Sequence, residues 1–252
     1  MFCVVFVSNL KYFDKFKSTC NQLITNGNYK GDICLIIGDD LLNNKILDCE
    51  LINNNNIVIK YFPDIQFSEY FTQINNNIKN KTDSHITKKF QWHKFHLFNT
   101  YFKKWNYIFY IDCGMTIFSD ITPIINEVKP DTLLAHSDAF PTYIWKLHTQ
   151  FDTSNPVFLQ LKQNYNLNID YFQTTMMLYD TNIIEEDTFN RLLSLSNEYP
   201  ISNTNDQGII ALYFTNIKPL FKQIKTNNDD TYFYDYLSRN KKNKYIMLKL
   251  LL

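Results

Sequence analysis

WNYIFYIDCGMTIFSDITP, residues Trp105–Pro123, decides the fold. Its first part, Asn106 to Ile111, is aromatic and β-branched and has the composition of a buried strand. That strand stops at Asp112-Cys113-Gly114, and a second apolar run, Met115 to Phe118, follows at once. Ser119-Asp120 then opens a predicted helix with Pro123 in its first turn. An acid at the carboxyl end of a central strand, followed by a glycine that lets backbone approach a ligand, is where open α/β sheets place their ligand sites.

Upstream, Phe2–Val7 reads as a strand. Ser8 or Asn9 caps a helix whose apolar residues Phe13, Phe16, Cys20, Leu23 and Ile24 recur at helical spacing, and Gly27 ends it. Ile33–Ile37 is a second strand, followed by Gly38-Asp39-Asp40, and Ile57–Phe62 a third, closed by Pro63. This alternation predicts an α/β fold with a mostly parallel central sheet flanked by helices. Asn53–Asn56 and Asn75–Asn80 read as loops. From Ser84 to Trp105 the pattern is helical, with Ile86, Phe90, Leu97, Phe98 and Tyr101 in one stripe. Lys94 sits inside that stripe, where an ammonium needs a partner or must snorkel to water.

Downstream, Thr132–His136 reads as a strand, Asn155–Gln163 as a helix and Asp170–Tyr179 as a strand. Ile183–Glu198 is an amphipathic helix, and a further helix runs from Thr204 through Phe214. Beyond Asn216 the pattern decays. Asn227–Asp230 reads as a turn, Arg239–Lys244 as a basic cluster, and Tyr245–Leu252 as a last strand or a cut edge. No repeat or linker interrupts the chain, so one domain is expected over residues 1–252.

Lys+Arg and Asp+Glu number 25 each, which argues against a nucleic-acid surface. The five cysteines, Cys3, Cys20, Cys34, Cys49 and Cys113, are odd in number and form no CxxC. Free thiols in a reducing compartment are the simplest reading, and a zinc site is not expected. Phe2–Val7 is too short for a signal peptide, and no run approaches the ~20 apolar residues of a membrane span. A cytoplasmic protein is therefore expected.

Four stretches together carry a resemblance: FVSNLKY (Phe6–Tyr12), KFHLF (Lys94–Phe98) with the strand ending in Asp112, DYFQTTMMLY (Asp170–Tyr179) and NDQGIIALYF (Asn205–Phe214). In order and spacing they resemble the glycogenin-type glycosyltransferases, family eight of the nucleotide-sugar-dependent enzymes. The resemblance covers roughly residues 2–215. It implies a single GT-A domain, Rossmann-like, that moves a sugar from a nucleotide donor, usually UDP-linked, to a hydroxyl acceptor with retention. It also implies a Mn²⁺ or Mg²⁺ ion.

The resemblance assigns roles residue by residue. Val7, Ser8, Asn9 and Tyr12 would hold the donor's base and ribose, the tyrosine as a stacking face. A helix cap and a core tyrosine explain the same residues without a ligand. Lys94 would reach the donor diphosphate, which gives its place on the apolar stripe a reason. A lone buried ammonium there leads to the expectation that Lys94→Met leaves folding intact.

Asp112-Cys113-Gly114 aligns with the family's Asp-x-Asp, whose two acids help hold the metal. Here Gly114 replaces the second acid, and the thiol of Cys113 suits a hard ion poorly. The family's late metal-binding His also has no counterpart, since His148 is the last histidine. Asp112 remains alone of three expected ligands, which puts the metal in doubt. Gln173 falls where the family places an Asn near sugar and acceptor, and Thr174 and Thr175 reshape that pocket. Asp206 and Gln207 would stabilise the charge developing on the transferred sugar. An acid in a first helical turn also explains Asp206. His136 and Asp138 in AHSDAF would line the donor sugar, or His136 simply ends a strand.

Two rivals remain at this stage. One is a nucleotide-sugar-binding protein without turnover, and the other a nucleotidyltransferase on the same sheet. The acceptor, whether glycan, protein or small molecule, is not legible.

Overall fold

The computed structural model describes residues 1–78, 89–137, 139–140, 142–225, 227–228, 231–235 and 244–249. Its frame begins with β1, Phe2–Ser8, which is buried on both faces. Cys3, Val5 and Val7 point into one core, and Val4 and Phe6 into the other. β2 (Asp32–Ile37) and β4 (Tyr107–Ile111) flank it in parallel, and β3 (Val58–Tyr61) adds outside β2. Strands covered on both faces need no polar alternation, which is why these read as continuous apolar runs.

β6 (Leu133–Ala135), β7 (Met176–Asp180) and β8 (Phe221–Gln223) complete seven strands in the order β3-β2-β1-β4-β7-β6-β8. Only β7 runs against the others. This is the expected single α/β domain with a mostly parallel sheet. Helix α1, Phe13–Thr25, covers one face through Phe13, Phe16, Cys20 and Leu23. The segment Lys89–Phe98 and the helices Thr188–Glu198 and Asp206–Leu212 cover the other.

β5 (Met115–Ile117) leaves the main sheet and joins a second one, order β5-β11-β10-β9, with β9 at Asn227–Asn228, β10 at Thr231–Asp235 and β11 at Lys244–Lys249. β11 pairs antiparallel with β5. A polar row on α1 also grips the 114–117 segment. Thr19 Oγ1 donates to Met115 O at 2.9 Å and accepts from Gly114 N–H at 3.0 Å. Gln22 Oε1 accepts from Ile117 N–H at 2.9 Å, and Asn26 Nδ2 donates to Ile117 O at 2.9 Å.

Several elements differ from the sequence expectation. Lys89–Phe98 and Thr100–Lys104 are 3₁₀ segments rather than one α-helix. Seven consecutive residues, Trp92 to Phe98, are buried, so the segment threads through the core with side chains packed on every side. Aromatic crowding disfavours the α form there. Ile86 lies outside the described residues.

In DYFQTTMMLY only Met176 onward is strand. Asp112 N–H donates to Thr175 O, but Gln173 N–H turns to His136 O and Thr174 N–H to the Gln207 side chain. The expected helix at Ser119-Asp120 shrinks to Thr122–Ile125, with the Asp120 carboxylate accepting from Thr122 N–H. The expected Asn-rich loops are entered only at their edges: the helix Glu50–Asn54 takes the first two residues of Asn53–Asn56, and the helix Glu69–Asn75 ends on Asn75, which is buried with its amide donating to Pro200 O, while residues 79–80 lie outside the described residues. At the far end, Asn227–Asn228 is strand rather than turn and Lys244–Lys249 is strand, while residues 229–230 and 250–252 lie outside the described residues.

Candidate active site

β1 and β4 end side by side, with Cys113 Sγ donating to Val7 O at 3.2 Å. A cleft of about 600 Å³ opens at this carboxyl edge, lined among others by Ser8, Asn9, Gly38, Asp64, His93 and Asn205. This is the crevice where open α/β sheets bind ligands. Asn9 caps the turn Leu10–Tyr12 by accepting from Tyr12 N–H at 3.1 Å. The Tyr12 ring packs on Phe90, 4.8 Å between centres, so the first-strand end meets the segment that carries Lys94.

Lys94 is buried, 3% exposed, and it does not snorkel. Its ammonium lies 3.1 Å from Asp112 Oδ1, 3.4 Å from Asp206 Oδ2 and 3.3 Å from Thr174 Oγ1, with the Tyr110 ring 5.5 Å away. The sequence expectation of a lone buried charge is corrected here: two carboxylates bracket it. Burial alone would depress the ammonium's pKa, but Asp112 and Asp206 outweigh it and hold it above the ordinary value. Burial likewise raises the Asp206 carboxyl, against Lys94 and Thr174. Tyr110 Oη donates to Asp112 Oδ1 at 2.5 Å, and burial, then Asp112, pushes its phenol well up.

Asp206 is delivered by a strained turn. Asn205 adopts φ 55°, an uncommon backbone for a side chain other than glycine. Ser202 Oγ accepts no bulk beside it: it donates to Asn205 O at 2.7 Å, and a Cβ on Gly208 would lie 2.6 Å from it. The helix Asp206–Leu212 therefore starts at a fixed point. Thr174 Oγ1 donates to Asp206 Oδ2 at 2.6 Å. Gln207 Oε1 accepts from Thr174 N–H at 3.2 Å, and its Nε2 donates to Gln150 Oε1 at 2.8 Å. Gln173 is buried, and its backbone ties to His136, whose ring packs edge-on against Phe140 at 5.5 Å. Asp138 lies outside the described residues, as do Arg239, Lys241 and Lys242.

The structure thus joins Lys94, Asp206 and Gln207 through Thr174, and Asp112 through Lys94. Sequence reasoning missed three supports. Tyr110 looked like any strand aromatic. Gln150 lies in a 3₁₀ turn with no motif, yet it also accepts from Thr204 Oγ1 at 2.9 Å. In the cleft wall, His93 Nε2 lies 3.1 Å from Asp64 Oδ1, and a Cβ on Gly38 would lie 2.4 Å from that same oxygen. Gly38 after the second strand was the available signal.

A divalent ion fits this donor set poorly. Asp112 Oδ1 already meets an ammonium and a phenol, and Gly114 brings no donor. Among the described residues no group of three His, Cys, Asp or Glu side chains is placed to hold a metal.

No model of a known protein family matches the chain, and no curated protein sequence matches it. Solved structures do. The galactosyltransferase LgtC, in complex with donor and acceptor sugar analogs, superposes with TM-score 0.64 at 13% identity, covering 98% of this chain and 86% of that one. Mouse xyloside xylosyltransferase 1 gives 0.54 at 10% identity, over 98% and 96%. Core-mannan synthase A of Aspergillus fumigatus, in a Mn/GDP form, gives 0.54 at 10%, over 88% and 72%. These neighbours are GT-A-type glycosyltransferases, and the likeness establishes the fold. No helix among the described residues is long and apolar enough to cross a membrane.

Proposed function

We propose that this protein is a glycosyltransferase of the glycogenin-like kind, one domain over residues 1–252, that moves a hexose or related sugar from a UDP-linked donor to a hydroxyl with retention. One observation carries the reading most: Asp112 and Asp206, 94 residues apart in sequence, meet one buried ammonium at the carboxyl edge of the sheet. The turn that delivers Asp206 holds Asn205 at φ 55°, and strained backbone of this kind clusters at functional sites. In this reading Val7, Ser8, Asn9 and Tyr12 take the base and ribose. Asp112, with Cys113 and Gly114, borders the diphosphate. Asp206, Gln207 and Gln173 face the sugar, and His136 and Asp138 flank it.

The rate then comes from positioning and from charge stabilisation at the anomeric carbon. Asp206, whose carboxylate form Lys94 and Thr174 favour against the pull of burial, is the acid placed for an oxocarbenium-like centre. Gln150 and Thr174 fix the Gln207 amide so that its orientation costs nothing at the reacting moment.

A second reading, donor binding without turnover, is favoured by the engagement of Asp112 Oδ1 with both Lys94 and Tyr110. Incubation with a panel of UDP- and GDP-sugars separates the readings. Released nucleoside diphosphate supports transfer or hydrolysis. Pyrophosphate from a sugar phosphate and nucleoside triphosphate indicates nucleotidyl transfer instead. Binding without release leaves the second reading, and no binding removes both.

A further inference from the structure

The cluster around Lys94 leaves a charge problem. One ammonium between two carboxylates makes a net negative centre, and a nucleotide's diphosphate adds further negative charge beside it. Withdrawing Lys94 toward a phosphate would strand two buried acids, at high cost. Another cation must serve the diphosphate.

The polar row of α1 points to it. Thr19, Gln22 and Asn26 bond to the 114–117 backbone, and Lys15 is the next member of that row, one turn before Thr19. Its side chain runs over Gly114: a Cβ built there would meet Lys15 Cδ at 3.4 Å, and Gly114 adopts φ 94°, open to glycine and strained for other residues. The ammonium lies 5.3 Å from the centre of the Tyr12 ring. Lys15 is exposed, and among the described residues it makes no ion pair. Its neighbour Lys17 contrasts with it, being held by Asp14 at 2.8 Å.

We propose that Lys15 is a donor-binding residue whose ammonium, placed between Tyr12 and Gly114, meets the diphosphate of the nucleotide donor in place of a protein-held divalent cation. This rests on the donor-nucleotide reading above. Gly114 and Lys15 form one device: the lysine stem lies in contact range of the position a Cβ on Gly114 would take, so a longer side chain there would compete with it for the strand end. The ammonium is held by a ring face rather than a carboxylate, so it is available to phosphate oxygens.

Calorimetry in EDTA tests this, with UDP, GDP, uridine and guanosine as probes on the whole chain. The wild type is expected to bind one of the diphosphates. Lys15→Met, which keeps the stem over Gly114, should bind that diphosphate about tenfold more weakly, a modest effect as suits an exposed cation. The matching nucleoside should bind as before. Lys15→Arg should recover most of the loss, and Lys17→Met should change nothing. Equal losses for nucleoside and diphosphate would mean that Lys15 only props Tyr12, and would overturn the proposal. So would a loss that falls on Lys89→Met, a lysine that lines the cleft, and spares Lys15→Met. A large gain on adding Mn²⁺ that survives in Lys15→Met would also overturn it. If the wild type binds none of the four probes, the donor-nucleotide reading itself fails, which an isolated failure of Lys15 does not imply.

Discussion

Lys94 and His96 are two positions apart in one buried 3₁₀ segment, and they meet opposite surroundings. Lys94 enters a pocket with two carboxylates, a hydroxyl and a phenol. His96 is stacked between Phe62, 4.1 Å away, and Phe189, 4.5 Å away. Neither of its ring nitrogens has a hydrogen-bond partner among the described residues. Burial is similar, at 3% and 5% exposure, yet one group is held charged and the other neutral. Burial sets the penalty for charge, and the partners decide whether it is met. A segment that turns a lysine toward the site and a histidine into the core anchors the first by means of the second.

The largest test of this contrast is Lys94→Met. The expectation from sequence was unchanged folding. The two acids reverse it, because the variant leaves Asp112 and Asp206 buried beside each other. A loss of about 3–5 kcal/mol in urea unfolding is expected. Adding Asp206→Asn should return part of it. An unchanged midpoint for Lys94→Met would show that the pair carries no stability.

The second test concerns His96. Burial, then His93 and Lys60, holds its imidazole down at about 3. The unfolded chain takes up that proton near pH 6.5, so the stability it contributes is complete above 6.5 and is lost as pH falls toward 3. His96→Phe keeps the stack and removes the titration. Relative to wild type, the variant should gain about 2 kcal/mol more at pH 5 than at pH 8. Urea midpoints at the two pH values check this, and a pH-independent difference would place His96 in water.

How much of this could be read in the sequence follows the same division. β1, β2 and β4 were legible because strands buried on both faces leave unbroken apolar runs, and the half-buried edge strand β3 because it is β-branched and aromatic apart from Lys60. Asp112, Lys94 and Asp206 were legible as individuals: the first as an acid ending a strand, the second as a lysine on an apolar stripe, and the third through the family resemblance. Their meeting was not, since it depends on where the 170–175 segment leaves the sheet. Thr174 read as a space-filling change and proves to be the residue that links Lys94 and Asp206 through its hydroxyl and Gln207 through its backbone N–H. β8, β9 and β10 stayed hidden because strands of two to five residues carry too few positions for a period. Lys15 looked like any exposed lysine, since only the backbone of Gly114 gives its position meaning.

Thr174 supplies the smallest and most local test. Its hydroxyl donates to Asp206 Oδ2 at 2.6 Å and accepts from Lys94 at 3.3 Å, so it is a neutral group in contact with both charges. Thr174→Val keeps the shape and removes the oxygen. Asp206 retains Lys94 but loses its shortest hydrogen bond, and Lys94 loses an acceptor. The expected cost is about 1–2 kcal/mol, less than for Lys94→Met because no charge is stranded. The backbone N–H of residue 174 still donates to Gln207, so the amide should keep its place. With burial already raising the Asp206 carboxyl, loss of the hydroxyl shifts it further up. Any pH–rate profile limited by ionised Asp206 should then move its acid limb to higher pH in the variant, while the basic limb stays. An acid limb that does not move would assign that limb to another group and leave Thr174 a packing role.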